Sequence, residues 1–317
     1  MSADKPLVSI VVPTYKRSDR IRVALDSIAA QDYGAENIEL IVVSDNRPEW
    51  PESAETDTAV APYAASLPHF RLLHTSGQTG GGAARNPARP PEQVAARNYA
   101  CRQATGEYLT FLDDDDEFLP DKVSTQVAFM QENSLDMSWQ DVSWYDERGR
   151  LVEHRRLDHC EDFSTEGLLR AHLLTPISPT AIYMLRRDLF DRTEGFGEVA
   201  TGQDWWLMLR CIEAGAHMGY MPEVHVRQYL HSGERLSLGK NKVNGEVARH
   251  EVVRGYYPRL SKKDVRYIEF RHNAVLAFAM KRSNQPGQAV IYALKAIASS
   301  PAACVSEALK FFGKAKS

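Results

Sequence analysis

Four consecutive carboxylates, Asp113-Asp114-Asp115-Asp116, carry more chemical potential than any other run in the sequence. Charges of one sign this close disfavour one another and serve no packing purpose, so a counter-charge or a ligand has to stand against them. In an extended segment, side chains alternate in direction, which lets Asp113 and Asp115 point the same way and share a divalent cation. Mg²⁺ or Mn²⁺ is held like this by one or two carboxylates, with phosphate oxygens and water filling the shell. The pattern predicts a site for metal plus diphosphate; its alternative is a solvated acidic turn capping the helix that begins at Pro120. A fifth carboxylate, Asp204, heads the apolar stretch Trp205-Trp206-Leu207. At a helix start the positive end of the dipole keeps such a group ionised and ready to accept a proton. The alternative there is an ordinary N-cap.

The elements that must position these groups follow from hydrophobic patterning. Leu7-Val-Ser-Ile-Val-Val12 is a largely β-branched run ended by Pro13, the pattern of a strand buried on both faces in a parallel sheet. Ile21, Leu25 and Ile28 recur at helical spacing, and Glu39 to Ser44 gives a second strand, which makes a βαβ unit. Residues 46–68 are rich in Pro, Glu and Ala. Phe70 to His74 is a third strand, Thr75 to Pro91 a long loop, Gln93 to Thr105 a helix closed by Gly106, and Tyr108 to Leu112 a fourth strand. A helix from Pro120 to about Glu132, strands over 138–145, 181–185 and 224–230, and a helix over 203–214 complete the reading. The order predicts an α/β fold with a mostly parallel open sheet flanked by helices. Ligands bind such sheets beyond the carboxyl ends of the strands, where the aspartate run stands.

Composition narrows the function classes. At 317 residues with 43% hydrophobic and 25% charged residues, the chain is globular and long enough to hold a core without disulfides. Four cysteines without CxxC spacing and an N-terminus lacking a basic and an apolar region speak against structural zinc and secretion, so a cytoplasmic setting is expected. No apolar run approaches the roughly 18 residues of a membrane span. From residue 255 onward eleven Lys and Arg face three Asp and Glu, +8, which leaves −12 for the first 254 residues of a chain at −4 overall. An acidic body of this kind is unsuited to nucleic acid.

Taken together, Pro6 to Tyr15, Ile41-Val-Val-Ser-Asp45, Ala96-Arg-Asn-Tyr-Ala100 and Gly106 to Asp116 resemble the family 2 glycosyltransferases of GT-A fold. Gly202-Gln-Asp-Trp-Trp206 extends the resemblance, which covers about residues 6–235. It implies a Rossmann-like GT-A catalytic domain over 1–240, with a nucleotide-sugar half to about 120 and an acceptor half from 121. A helical, basic extension follows over 241–317. Family members are mostly inverting enzymes that use a nucleotide-diphosphate sugar and a divalent metal, Mn²⁺ or Mg²⁺. Carried onto this chain, the resemblance puts Pro13, Thr14 and Tyr15 beside the nucleoside and makes Asp45 the acceptor of a uracil N–H. Arg97 lies near the nucleotide. Asp113 and Asp115 match the DXD motif that holds ribose and metal-bound diphosphate, with Asp114 able to substitute. Asp204 matches the catalytic base, and His231 resembles a distal histidine at diphosphate or metal. The implied reaction transfers a sugar, from a UDP-sugar, to a hydroxyl of a glycan or lipid-linked acceptor in bacterial-type surface glycan assembly.

Three departures stand out: Ser44 where the family often has Asp, Gln203 where Glu is usual, and an apparent insertion from Thr79 to Gln93. Two rival readings are a sugar-1-phosphate nucleotidyltransferase, which lacks support in the glycine-free Pro13 to Asp19 segment, and a non-catalytic nucleotide- or glycan-binding module. Gly80-Gly-Gly82 with Arg85 and Arg89 does not fit a phosphate-binding loop and reads as part of a binding loop or lid. Trp205 and Trp206 read as core. His69, His74, His154, His159 and His172 lack ligand spacing. Near the C-terminus Val290, Ile291, Leu294 and Ile297, then Val305, Leu309 and Phe312, recur at helical spacing with lysines close by. Two short amphipathic helices follow. They pack on the chain or on a second copy, as most such helices do, or rest peripherally on the inner face of a membrane.

Overall fold

The computed structural model describes residues 5–75, 92–197, 202–231 and 239–314. The glycine-arginine stretch within 76–91, and the tail of the His231 segment from Ser232 to Ser237, lie outside the described residues. The chain divides into two compact units. One comprises Met1–Leu169, Ile177–Val199 and Gln203–Ser232; the other comprises Arg170–Pro176, Ala200–Gly202 and Gly233–Ser317.

The first unit is built on β1 (Val8–Thr14), α1 (Ile21–Ala29), β2 (Ile38–Ser44), α2 (Pro51–Val60), α3 (Tyr63–Ser66), β3 (Arg71–His74), α4 (Glu92–Gln103) and β4 (Tyr108–Phe111). Every residue of β1 and of β2 is buried, as a parallel strand covered on both faces requires. Two buried polar groups inside these strands are satisfied together. Ser9 donates to Glu39 and accepts from Gly106 N–H at 2.9 Å, while Glu39 accepts from Thr105 N–H at 2.8 Å and from Arg71 at 3.4 Å. Burial pushes the Glu39 carboxyl up, but these hydrogen bonds outweigh it and hold the group below its usual range. A Cβ on Gly106 would stand 2.6 Å from Ser9 Oγ and 2.8 Å from Leu7 O, so this glycine permits close strand approach; it is not the helix stop the pattern indicates, because α4 ends at Gln103.

Beyond β4 the unit continues with β5 (Glu117–Phe118), α5 (Lys122–Glu132), β6 (Met137–Asp146), β7 (Leu151–Arg155), the start of α6 (Thr165–Leu174, whose residues from Arg170 belong to the second unit), β8 (Met184–Arg186), α7 (Arg187–Arg192), α8 (Gln203–Glu213) and β9 (Met218–Leu230). Among the described residues the strands form one sheet in the order β3-β2-β1-β4-β8-β6-β9-β5, with β7 paired to β6. Pairing is parallel from β3 to β4 and between β6 and β9, and antiparallel where β8 joins β4 and β6 and where β5 meets β9. The expected α/β sheet is present, with its parallel character concentrated in the N-terminal half and the remainder mixed. β9 starts six residues earlier than the pattern indicates. Pro222 and Glu223 interrupt its pairing with β6, where the register shifts between Gln140 and Asp141, and the shift conceals the first segment. Residues 181–182 belong to a 3₁₀ turn that precedes β8.

The second unit is helical: α9 (Gly239–Gly255), α10 (Lys262–Arg282), α11 (Pro286–Ser299) and α12 (Pro301–Lys314). Ser261 caps α10 by accepting the Asp264 N–H at 3.1 Å, and Arg170 grips the Asp264 carboxylate with two nitrogens at 3.0 and 2.6 Å. That paired contact ties the short 170–176 segment to the C-terminal helices.

Candidate active site

The strands of the parallel half bring their carboxyl ends together. Thr14 closes β1, Asp45 follows β2, and the aspartate run follows β4 one residue past Leu112, whose N–H still bonds to Val11 O at 3.1 Å. The run is not the expected extended segment but a turn, closed by the Asp116 N–H donating to Asp113 O at 3.1 Å, and its side chains divide two and two. Asp114 and Asp116 are buried, while Asp113 and Asp115 keep 40% and 16% of their side-chain surface open.

The buried pair fastens the tip. Asp114 accepts from Thr14 Oγ1 at 2.8 Å and from Arg17 at 3.1 Å. Asp116 accepts from Gln228 Nε2 at 2.7 Å and from the Tyr229 N–H at 3.0 Å, which pins the tip to the end of β9. Burial, opposed by Arg17 and reinforced by Asp115 and Asp113, pushes the Asp114 carboxyl up to about 6. Burial and the same two neighbours push Asp116 well above the usual carboxylate range. Both shifts run in the direction that lessens charge repulsion within the run.

The open pair meets cations. Arg17 donates to Asp115 at 2.6 Å, and His231 Nε2 lies 3.7 Å from the same carboxylate. Arg97, a buried residue of α4, donates one nitrogen to Asp113 and another to Gln203 Oε1 at 2.7 Å. Gln203 begins α8, so this single guanidinium joins the aspartate tip to the helix that carries Asp204.

Asp204 lies in the first turn of α8 and accepts from the Trp205 N–H at 2.9 Å. Its carboxyl is nonetheless shifted upward, by burial first and by the charge of Asp113, against the Trp205 N–H and Arg97. The Trp205 N–H at the helix start and the Arg97 charge favour the ionised carboxylate, and burial with the Asp113 charge opposes them. Trp205 is buried and Trp206 half-buried, their rings edge-on at 5.3 Å.

The remaining expected residues line the ends of β1 and β2. Pro13 is registered against Val43 inside the sheet. The Asp45 N–H donates to Thr14 O at 3.0 Å, and the Asp45 carboxylate accepts from Thr75 Oγ1. Tyr15 is half-buried, 6.0 Å from the Trp50 ring, over which Lys16 Nζ lies at 3.9 Å. Lys16 has a left-handed φ of 54°, secured by its N–H donating to Asn46 Oδ1 at 2.8 Å. The structure thus links Thr14, Arg97, Asp113, Asp114, Asp115, Gln203 and His231 through direct contacts and sets Asp204 beside them. Asp45 joins through Thr14.

Arg17, Gln228 and Tyr229 are the residues that sequence reasoning missed. Arg17 stands 97 positions from Asp114, and only its place in the loop after β1 hinted at a role.

Among the described residues no group of three or more His, Cys, Asp and Glu side chains is arranged to enclose a metal by itself. Two accessible carboxylates still suit a hard cation that takes its other oxygens from phosphate and water.

The family described as Glycosyl transferase family 2 matches residues 9–88 and 92–193. The glycosyltransferase YibD of Escherichia coli (strain K12) is 30% identical over 138 residues, which cover 43% of this chain and 34% of that protein. The poly(ribitol-phosphate) β-N-acetylglucosaminyltransferase TarS of Staphylococcus aureus (strain Mu50) is 28% identical over 175 residues, 55% of this chain and 27% of that protein. The first matched relatives share no more than about a third of their length with this chain. Among solved structures, S. aureus TarS 1–349 in complex with UDP-GlcNAc superposes with a TM-score of 0.57 at 18% identity, covering 90% of both chains. The mannosyltransferase PcManGT from Pyrobaculum calidifontis, in complex with GDP-Man and Mn²⁺, superposes with a TM-score of 0.58 at 20% identity, covering 97% of this chain and 80% of that one.

Proposed function

The chain belongs to glycosyl transferase family 2, and from that premise we propose that it moves a sugar from a UDP-sugar to a hydroxyl of a glycan or lipid-linked acceptor, by direct displacement with inversion. Membership makes it a glycosyltransferase and sets aside nucleotidyl transfer and a non-catalytic module. The finer reading is carried by one observation: Arg97 ties Asp113 to Gln203, the neighbour of Asp204, so the acidic tip and the separate carboxylate belong to one site.

In this reading Asp113 and Asp115 hold Mn²⁺ or Mg²⁺, assisted by His231. The bound cation stabilises the leaving diphosphate as a Lewis acid. Arg17 and Arg97 offer guanidinium donors to the same oxygens, in the fork geometry suited to phosphate. Pro13, Thr14 and Tyr15 flank the nucleoside, and Asp45 accepts the uracil N–H. Asp204 takes the proton of the acceptor hydroxyl as the new bond forms. An upward-shifted carboxyl is a stronger base than an ordinary aspartate, and such groups contribute about 10²–10⁴-fold. Asp114, which the resemblance makes able to substitute for its neighbours, holds the tip in this reading, since Thr14 and Arg17 occupy its oxygens.

TarS in complex with UDP-GlcNAc supports a uridine donor, while PcManGT with GDP-Man shows that the fold also serves guanosine. A thermal-shift series with UDP, GDP and CDP, each with and without Mn²⁺, tests the reading. A ligand at 100 times its dissociation constant adds about 2.7 kcal/mol to apparent stability. Stabilisation by UDP that needs Mn²⁺ is the expected result. A response to GDP alone would transfer the base preference but keep the reaction, and indifference to every nucleotide would remove the proposal.

A further inference from the structure

The two C-terminal helices carry their apolar side chains outward. On α11, only Ala296 is fully buried, and Ala289, Tyr292 and Ser299 are partly covered at the spacing of a single helix face. The opposite face presents Val290, Ile291, Leu294 and Ile297, which are between 46% and 61% exposed. On α12, Val305 and Leu309 are 60% and 67% exposed. A helix of a self-sufficient fold buries its large residues and exposes its small ones, and here the order is reversed.

Charge identifies the occupant. After residue 276 the sequence contains Lys281, Arg282, Lys295, Lys310, Lys314 and Lys316 against a single acid, Glu307. A second copy of the same face would bring this excess against itself, whereas an anionic lipid surface matches it. Neither helix crosses a bilayer by itself. Each helix has 14 residues, about 21 Å at 1.5 Å per residue, against roughly 30 Å of hydrocarbon. The pair is also bent by 107° at Ser300, and no single helix among the described residues is long and apolar enough to cross a bilayer. We propose that α11 and α12 form an interfacial anchor that lies on a bilayer containing anionic lipid, with the apolar face at the acyl boundary and the lysines at headgroup level.

The anchor is independent of donor chemistry, because its test reads binding without turnover. Full-length protein is floated with phosphatidylcholine vesicles, with and without added phosphatidylglycerol, at low and high salt. Recovery with the anionic vesicles, reduced by salt, is expected. Ile291→Gln combined with Leu294→Gln should weaken partitioning at least ten-fold, because each change removes a large apolar group from the interface. Lys295→Gln should weaken it about five-fold through its single charge. Both variants alter exposed positions, and an unchanged melting curve verifies their fold. Equal recovery of wild type and the glutamine pair overturns the proposal. So does absence from every vesicle accompanied by a dimer in sedimentation that the glutamine pair dissolves, which would give the face to a second copy.

Discussion

Asp204 and Arg97 divide the labour of the site in ways that single substitutions separate. Asp204→Asn keeps the shape of the first turn of α8 and removes the carboxylate proposed as the proton acceptor. Nucleotide binding should therefore persist, while transfer falls by 10²–10⁴-fold, read as turnover with a radiolabelled donor. Near-normal turnover would place the base elsewhere. Arg97→Ala acts differently, because it strips a partner from both Asp113 and Gln203. Asp113 is 40% exposed, so water replaces part of what is lost, and the expected cost is about 1–2 kcal/mol in urea unfolding together with weaker nucleotide binding. At this scale the sequence revealed the acids better than the bases. Adjacent aspartates after a strand form a local pattern. Arg17 and Gln228 matter only because folding brings positions about a hundred residues apart within hydrogen-bond distance.

Elements were legible in proportion to how locally their burial is determined. β1, β2 and β4 are apolar runs covered on both faces and stand out in the sequence. α2 buries only Ser53, Thr56, Ala59 and Val60, a face too weakly apolar to register as a period, and its helical start rests on Pro51 at the first position. The junction of α4 with β4 gives a test of close packing. Gly106→Ala has to displace Ser9 or the Leu7 carbonyl, and should destabilise by about 1–3 kcal/mol in chemical denaturation, with the site chemistry otherwise intact. In the helical unit, His250 of α9 stacks on His272 of α10, with ring centroids 3.7 Å apart. Tyr257, Glu269 and Glu246 line the pair, and burial followed by the charge of His272 lowers the His250 pKa below 6.5. An unfolded chain then binds protons that the folded one refuses, so stability is full above about pH 6.5 and falls on acidification through the folded pKa. Melting temperature should drop over this window before carboxylates titrate. His250→Gln should flatten the slope, and an unchanged slope would assign the acid sensitivity to other groups.

On the scale of the molecule, the division of charge and the parallel N-terminal half of the sheet were readable from composition and element sequence. The convergence on the aspartate tip was not. Thr14, Arg17, Arg97, Gln228 and Tyr229 arrive there from β1 and the loop after it, from α4 and from β9, so the parallel and mixed parts of the sheet are laced together at one point. The vesicle-deficient Ile291→Gln/Leu294→Gln protein should retain its full response to UDP and Mn²⁺, since its changes lie in the helical unit. The guanidinium contacts have a further consequence for how the site is filled. Both outward carboxylates already have a positive tenant, so a lone metal ion arriving from solution would have to compete with an arginine at each. In the proposed reading a pyrophosphate would provide the displaced arginines with new quarters, and each arrival would thereby lower the threshold for the other. Calorimetry with Mn²⁺ alone should accordingly register faint binding, and the same titration after UDP is added should register a strong one.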